Sequence, residues 1–173
     1  MPALQNAPAD MSEAKFMTVF GGLYEHSPWV AAAVFKDGLN STHNRADSLH
    51  QAFCQAVESA SRQQQLKLIR AHPDLAGKLA TADVLTTASR SEQAGAGLDQ
   101  CTDEEFSVFT ELNHRYKARF GFPFIMAVKG AGRAQILLQF QQRVDNSPET
   151  EFDTALQQVL KIGRLRLSEL LDD

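Results

Sequence analysis

Apolar residues along this chain recur every three or four positions, which is the spacing of one face of an α-helix. The pattern predicts apolar helical stripes over residues 16–23, 29–34, 46–57, 66–69, 106–116, 136–144 and 152–170. No stretch alternates long enough to predict a β-sheet. The predicted fold class is therefore all-α, a compact multi-helix bundle forming a single domain over residues 1–173, with residues 1–10 frayed.

Several predicted helix boundaries follow from capping chemistry. Ser27, Ser61 and Thr102 each precede a stripe by a few residues, where a serine or threonine hydroxyl can accept a hydrogen bond from the first helical turn. Thr102 is followed by Glu105 in the spacing of a capping box. The helix that begins after Ser61 must end before His72, because the residue that precedes a proline is pushed out of the helical region.

Charge narrows the class of protein. The 173 residues include 17 Lys and Arg against 21 Asp and Glu, a formal charge of -4. This balance disfavours a nucleic-acid binder, because phosphate neutralisation needs a surplus of cations. A small anionic substrate needs only one or two placed cations and stays possible.

Uninterrupted apolar stretches are short. The longest, at 29–35 and 122–128, have seven residues each, whereas a membrane-spanning helix needs about 20. No secretory signal opens the chain and no peroxisomal tripeptide closes it, so we expect a cytoplasmic protein with no membrane partner. The two cysteines cannot form a disulfide framework.

Arg166 lies on the apolar face of the last predicted helix. With Phe152 as zero and about 100° per residue, Arg166 falls at about −40° and Arg164 at about 120°. A guanidinium on a buried face needs an anion, because an unpaired one costs several kcal/mol. The more common explanations are an internal Asp or Glu that pairs with Arg166, or an aliphatic stem that covers the core while the charged head reaches water. The functional interpretation is an anionic ligand.

After Arg166, the sequence around His72 is a second candidate functional site. Pro73 holds His72 extended at a helix end, and an imidazole can give or take a proton near neutral pH. The competing interpretation is a purely structural corner in which Asp74 caps the next helix.

A third candidate runs from Ser89 to Gln93. Ser89 and Glu92 have capping-box spacing, which predicts a helix start at Ser89. The functional interpretation is a polar wall of N–H groups and side chains suited to an amide-rich ligand.

The segment 120–127 is the fourth candidate. It is too apolar for a surface loop, and Pro123 forbids a regular helix through it. Its buried N–H and C=O groups must bond elsewhere in the protein or to a ligand.

His43 and His50 are weaker candidates for a functional site. They share a predicted helix face, and a solvated face is a better explanation for this spacing than a metal site.

Four stretches in order resemble one family: HPDLAGKLA at 72–80, LTTASRSEQAGAGL at 85–98, LNHRYKARFGFPFIMAVKG at 112–130 and RLRL at 164–167. They are similar to the 2-oxo-4-hydroxy-4-carboxy-5-ureidoimidazoline (OHCU) decarboxylase family, over residues 16–171. The resemblance implies an all-helical homodimer of urate breakdown that needs no metal or organic cofactor and converts OHCU to (S)-allantoin and CO₂.

The resemblance also implies roles for residues. His72 matches the catalytic histidine and Arg166 the carboxylate-binding arginine, with Arg164 less favoured. The positions that match substrate contacts are Pro73, Ser89, Glu92, Gln93, Phe124, Ile125 and Met126. Our hypothesis makes His72 the acid/base and proton donor, with Glu92 holding the substrate and helping to orient His72.

Two other functions compete with this hypothesis. One is a non-catalytic helical module for ligand binding or interaction, with Arg166 in a structural ion pair. The other is a helical DNA-binding domain, which the acidic balance disfavours.

Overall fold

The computed structural model describes residues 7–75 and 87–170. Over these ranges the chain forms α-helices and short 3-10 turns, with no strand, which confirms the predicted all-α class. The helices are α1 Glu13–Phe20, α2 Pro28–Asp37, α3 Ala46–Glu58, α4 Arg62–Arg70, α5 Thr87–Gly95, α6 Asp103–Phe120, α7 Arg133–Arg143 and α8 Pro148–Ser168.

The described residues fall into two compact units. The first contains residues 7–71 and 160–170, and the second contains residues 72–75 and 87–159. The chain passes from the first unit to the second between residues 71 and 72, and returns to the first within α8. The single domain expected from the sequence stays a prediction.

Two of the predicted helix caps are confirmed. Ser61 Oγ accepts from the N–H of Gln64 at 3.1 Å, and Thr102 Oγ1 accepts from the N–H of Glu105 at 3.1 Å. Ser27 is the N-cap of α2 and Pro28 is the first helical residue, as the sequence predicts. The cap hydrogen bond expected of the Ser27 hydroxyl is wrong, because this hydroxyl donates instead to the Glu25 carbonyl at 2.9 Å.

The core of the first unit is built on aromatic rings from α1, α3 and the segment after α1. Phe16 and Phe20 are one helical turn apart and their centroids are 4.9 Å apart. Tyr24 meets the Phe53 ring edge-on at 6.0 Å. Phe16 also stacks on Phe53 with centroids 6.5 Å apart. Rings of this size each bury about 150–250 Å², so they fix α1 against α3.

In the second unit, aromatic rings surround Tyr116 of α6. The centroids of Phe122, Phe124 and Phe140 lie 5.9, 5.5 and 5.9 Å from its own. Tyr116 and Phe124 are fully buried. The non-helical chain after α6 is thus held against α6 and α7.

No helix within residues 7–75 and 87–170 is long and apolar enough to cross a membrane.

Gly163 of α8 packs directly on the Tyr24 side chain. A Cβ at this position would lie 2.7 Å from Tyr24 Cε1 and 2.8 Å from Cζ, and closer still to the hydroxyl. Tyr24 is 1% exposed and cannot swing away. The close approach of α8 to this ring therefore requires glycine.

We predict that Gly163→Ala lowers the free energy of unfolding by about 1–3 kcal/mol, because overpacking a rigid core forces side chains and backbone to shift. The measurement is urea unfolding followed by circular dichroism. The matched control is Gly95→Ala, since a Cβ there meets nothing within 4 Å and alanine favours the helix. Equal stability of the two variants would contradict the prediction.

Candidate active site

His72 lies in a tight corner directly after α4, which ends at Arg70. The side chain is buried, with 7% of the residue exposed. Pro73 and Asp74 are half-buried, and Leu75 is buried again. The helix therefore ends before Pro73, as the sequence predicts.

Side chains from two helices bind the backbone and the carboxylate of this corner. Gln93 Nε2 of α5 donates to the Asp74 carbonyl at 3.2 Å, and Asn113 Nδ2 of α6 donates to the Leu75 carbonyl at 2.9 Å. Lys117 Nζ of α6 forms an ion pair with Asp74 Oδ2 at 2.8 Å. The corner that carries His72 is thus fixed against α5 and α6.

Helix α5 carries the residues predicted from the third motif. Ser89 and Gln93 are buried, and Glu92 is half-buried. The predicted start at Ser89 is wrong, because α5 already includes Thr87. A serine three residues before a glutamate is the spacing of a capping box, but it is also the spacing of two neighbours on one face inside a helix.

The chain between α6 and α7 is non-helical, as Pro123 predicts, and its backbone is held by side chains. Arg143 Nη1 donates to the Ile125 carbonyl at 2.7 Å, and the N–H of Ala127 donates to Gln158 Oε1 at 2.9 Å. No residue in the described ranges bonds to the N–H groups of 124–126. Phe124 and Ile125 are buried, and Met126 is half-buried.

Helix α6 supports both non-helical segments. Asn113 binds the Leu75 carbonyl, and Tyr116, three residues later, meets the Phe124 ring at 5.5 Å. Residues three apart are neighbours on one helix face. The His72 corner and the 124–126 segment therefore rest on the same side of α6.

Arg166 is 8% exposed, which confirms its predicted position on the apolar face of α8. Its Nη2 donates to Glu25 Oε1 at 2.7 Å, and its Nη1 donates to the Leu23 carbonyl at 2.7 Å. Glu25 is 2% exposed. The structure thus contains the internal ion pair that the sequence offers as the common alternative.

Arg164 lies away from this face. Its side chain is about one-third exposed, in agreement with the helical wheel, and it pairs with Asp47 at 2.5 Å. The binding of substrate by Arg166 is untested by these contacts and stays a prediction.

The weaker histidine candidates have ordinary structural partners. His43 Nδ1 accepts from the N–H of Asn40 at 2.9 Å, and His50 Nε2 lies 2.8 Å from the Leu160 carbonyl. Burial lowers the pKa of His50. No cluster of three or more His, Cys, Asp or Glu able to hold a metal ion occurs in the described part of the chain.

A family model supplies the deciding comparison. The model described as OHCU decarboxylase matches residues 9–168. The chain belongs to the OHCU decarboxylase family. The family prediction and the predicted enzyme class, a carboxy-lyase, are confirmed, and the non-catalytic module is no longer favoured.

Relatives and a solved structure agree with this assignment to the OHCU decarboxylase family. The chain is 43% identical over 159 residues to 2-oxo-4-hydroxy-4-carboxy-5-ureidoimidazoline decarboxylase of Haloferax volcanii, covering 92% of this chain and 90% of that one. It is 37% identical to the uric acid degradation bifunctional protein of Bacillus sp., covering 93% of this chain and 31% of that one.

The solved structure is a crystal structure of (S)-allantoin synthase. It matches with a TM-score of 0.76 and 34% identity, over 95% of this chain and 53% of that chain. This chain therefore spans about half the length of that protein.

Two polar residues that organise this OHCU decarboxylase family chain are missing from the sequence-based candidates. Asn113 lies about 40° from Phe109 on the helical wheel, and Arg143 lies about 20° from Ile136. Both therefore fall inside apolar stripes, as Arg166 does. The wheel used for Arg166 would have found them.

We predict that Glu25→Leu lowers the free energy of unfolding by about 3–5 kcal/mol, because it leaves a buried guanidinium without its carboxylate. The double variant Glu25→Leu/Arg166→Met is expected to recover at least half of that loss, since neither charge then remains. Urea unfolding of the two single variants and the double variant measures this. Additive losses in the double variant would contradict the ion pair.

Proposed function

We propose that this protein decarboxylates OHCU to (S)-allantoin and CO₂ in urate degradation, with His72 moving the proton. Support comes from membership of the OHCU decarboxylase family. The names of two similar proteins, an (S)-allantoin synthase and a uric acid degradation bifunctional protein, agree with this product and this pathway.

The chemistry of the substrate explains which groups the protein must supply. One ring carbon carries a hydroxyl and a carboxylate, and the adjacent ring carbon is part of a C=N bond and bears the ureido group. When the bond to the carboxylate breaks, its electron pair forms a C=C bond and the C=N pair moves onto nitrogen, which takes a proton. The hydroxyl then loses its proton to become a carbonyl, and the ureido-bearing carbon gains one.

His72 is suited to these proton transfers. An imidazole can accept the hydroxyl proton and deliver a proton to the ureido-bearing carbon. Delivery from one face gives a single enantiomer, so the imidazole must be held in place. The hydrogen bond from Gln93 to the Asp74 carbonyl carries the proposal, because it brings two motifs 19 residues apart against each other.

The polar groups around this corner suit the amide-rich substrate. In our proposal Glu92 holds the hydroxyl or ureido N–H groups and helps to orient His72, while Ser89 and Gln93 complete the hydrogen bonding on α5. Pro73 packs beside the ring of the substrate. The backbone of 124–126 offers N–H groups with no partner in the described chain, and these suit the carbonyl oxygens of the substrate.

Three further parts of the proposal rest on the sequence analysis alone. Arg166 binds an anionic group of the substrate, the protein acts as a homodimer, and it resides in the cytoplasm. The ion pair of Arg166 with Glu25 does not oppose the first part, because a guanidinium has five N–H donors. Turnover by a folded Glu25→Leu/Arg166→Met variant tests this role of Arg166.

We predict that His72→Asn abolishes most of the catalysed reaction, because acid–base placement contributes about 10²–10⁴-fold to rate. OHCU is generated from urate by urate oxidase and the hydrolase of the next intermediate. The appearance of one circular-dichroism sign reports (S)-allantoin. The rate with His72→Asn is expected to approach that of spontaneous decay, with a racemic product.

The matched control is His114→Asn, the same substitution at an exposed histidine of α6. It is expected to keep the wild-type rate. Far-ultraviolet circular dichroism verifies that both variants fold. If His72→Asn turns over OHCU at the wild-type rate and with wild-type enantiomeric excess, His72 does not move the proton.

A further inference from the structure

A buried ion-paired network lies beneath the 124–126 segment. Arg143 Nε of α7 donates to Glu151 Oε1 of α8 at 2.9 Å. The Tyr116 hydroxyl donates to the same oxygen at 2.5 Å, and Asn146 Nδ2 donates to Glu151 Oε2 at 3.0 Å. The carboxylate thus joins α6, α7 and the start of α8.

The burial of this network is unusual for charged groups. Arg143 is 7% exposed, and Glu151 and Tyr116 are fully buried. Burying an ion pair costs desolvation energy that its mutual attraction often fails to offset, and an apolar replacement of similar volume is often as stable. One donor group of Arg143, Nη2, has no partner in the described chain. Stability alone therefore does not account for a charged network here.

The guanidinium of Arg143 contacts two neighbouring residues of the 124–126 segment, Phe124 and Ile125. Its Nη1 donates to the Ile125 carbonyl at 2.7 Å, and its Cζ lies 4.4 Å from the centroid of the Phe124 ring. The Phe124 ring also stacks on the Phe140 ring, and the two centroids are 3.9 Å apart. Because a guanidinium is rigid and planar, its bond to Glu151 fixes the direction in which Nη1 points.

Peptide geometry carries this constraint to Met126. The carbonyl of Ile125 and the N–H of Met126 belong to one planar unit, so fixing the oxygen fixes the direction of the N–H. The next peptide plane is held as well, because the N–H of Ala127 donates to Gln158 Oε1 at 2.9 Å. The Met126 N–H has no partner in the described ranges. It belongs to the first of these two held peptides and adjoins the second.

We propose that Arg143 is a positioning residue for OHCU decarboxylation, which directs the Met126 N–H toward the substrate by holding the Ile125 carbonyl, with Gln158 holding the other side. This inference rests on the proposed function, in which the backbone of 124–126 contacts OHCU. Arg143 acts through the backbone and does not itself touch the reacting atoms.

The experiment compares kcat and KM for freshly generated OHCU in Arg143→Lys and the wild type. A lysine cannot bind Glu151 and the Ile125 carbonyl in the same fork. Misdirecting one neutral hydrogen bond to a substrate is expected to raise KM by about two- to tenfold, with kcat changed less than twofold because the bond is equal in ground and transition states.

The matched control is Arg133→Lys. Arg133 also joins a carboxylate, Glu105, to a backbone carbonyl, that of Gly97, but it is about one-third exposed. The Arg133→Lys variant is expected to have kcat and KM values within twofold of those of the wild type. Urea unfolding of both variants separates loss of fold from loss of positioning.

Gln158 provides a second pair of variants, which decides the matter if Arg143→Lys does not fold. Gln158→Leu removes the acceptor for the Ala127 N–H and is expected to raise KM, whereas Gln158→Glu keeps an acceptor oxygen and is expected to retain wild-type KM.

Two results would overturn the positioning role: a wild-type KM in a folded Arg143→Lys or Gln158→Leu variant, or equal impairment of both Gln158 variants. An inactive wild-type protein would instead overturn the proposed function.

Discussion

Buried backbone that is not helical must still find partners for its N–H and C=O groups, and this requirement organises the second unit. The helices meet it with amide and guanidinium side chains. Gln93 and Asn113 bind the carbonyls after His72, and Arg143 binds that of Ile125. The segments that our proposal places against the substrate are therefore the ones whose shape depends on long-range polar contacts.

Much of the helical framework follows from local rules. The apolar period predicts the helices, and the hydroxyls of Ser61 and Thr102 cap the helices that they precede. The start of α5 is missed because one spacing serves both a cap and a helix interior. The orientation of Arg166 is predicted because a side chain's angle around a helix depends only on its place in the sequence.

Partners are harder to predict than positions. A helical wheel shows that Arg166 is buried, yet it cannot show that Glu25, 141 residues away, receives it. Asn113 and Leu75 are 38 residues apart, and Arg143 and Ile125 are 18 apart. Such pairs depend on how helices pack, which periodicity does not encode. Motifs and the helical wheel therefore predict the candidate residues, whereas the side chains that hold them depend on helix packing.

The two peptides held on either side of Met126 have a consequence for how the sequence of this protein can change. A donor that belongs to the main chain exists whatever side chain position 126 carries, proline excepted. Substitution of that methionine, by natural drift or by engineering, therefore leaves the N–H donor intact. Selection at this place should therefore act on residues remote in sequence, whose exchange would look harmless in any inventory of groups that touch the ligand.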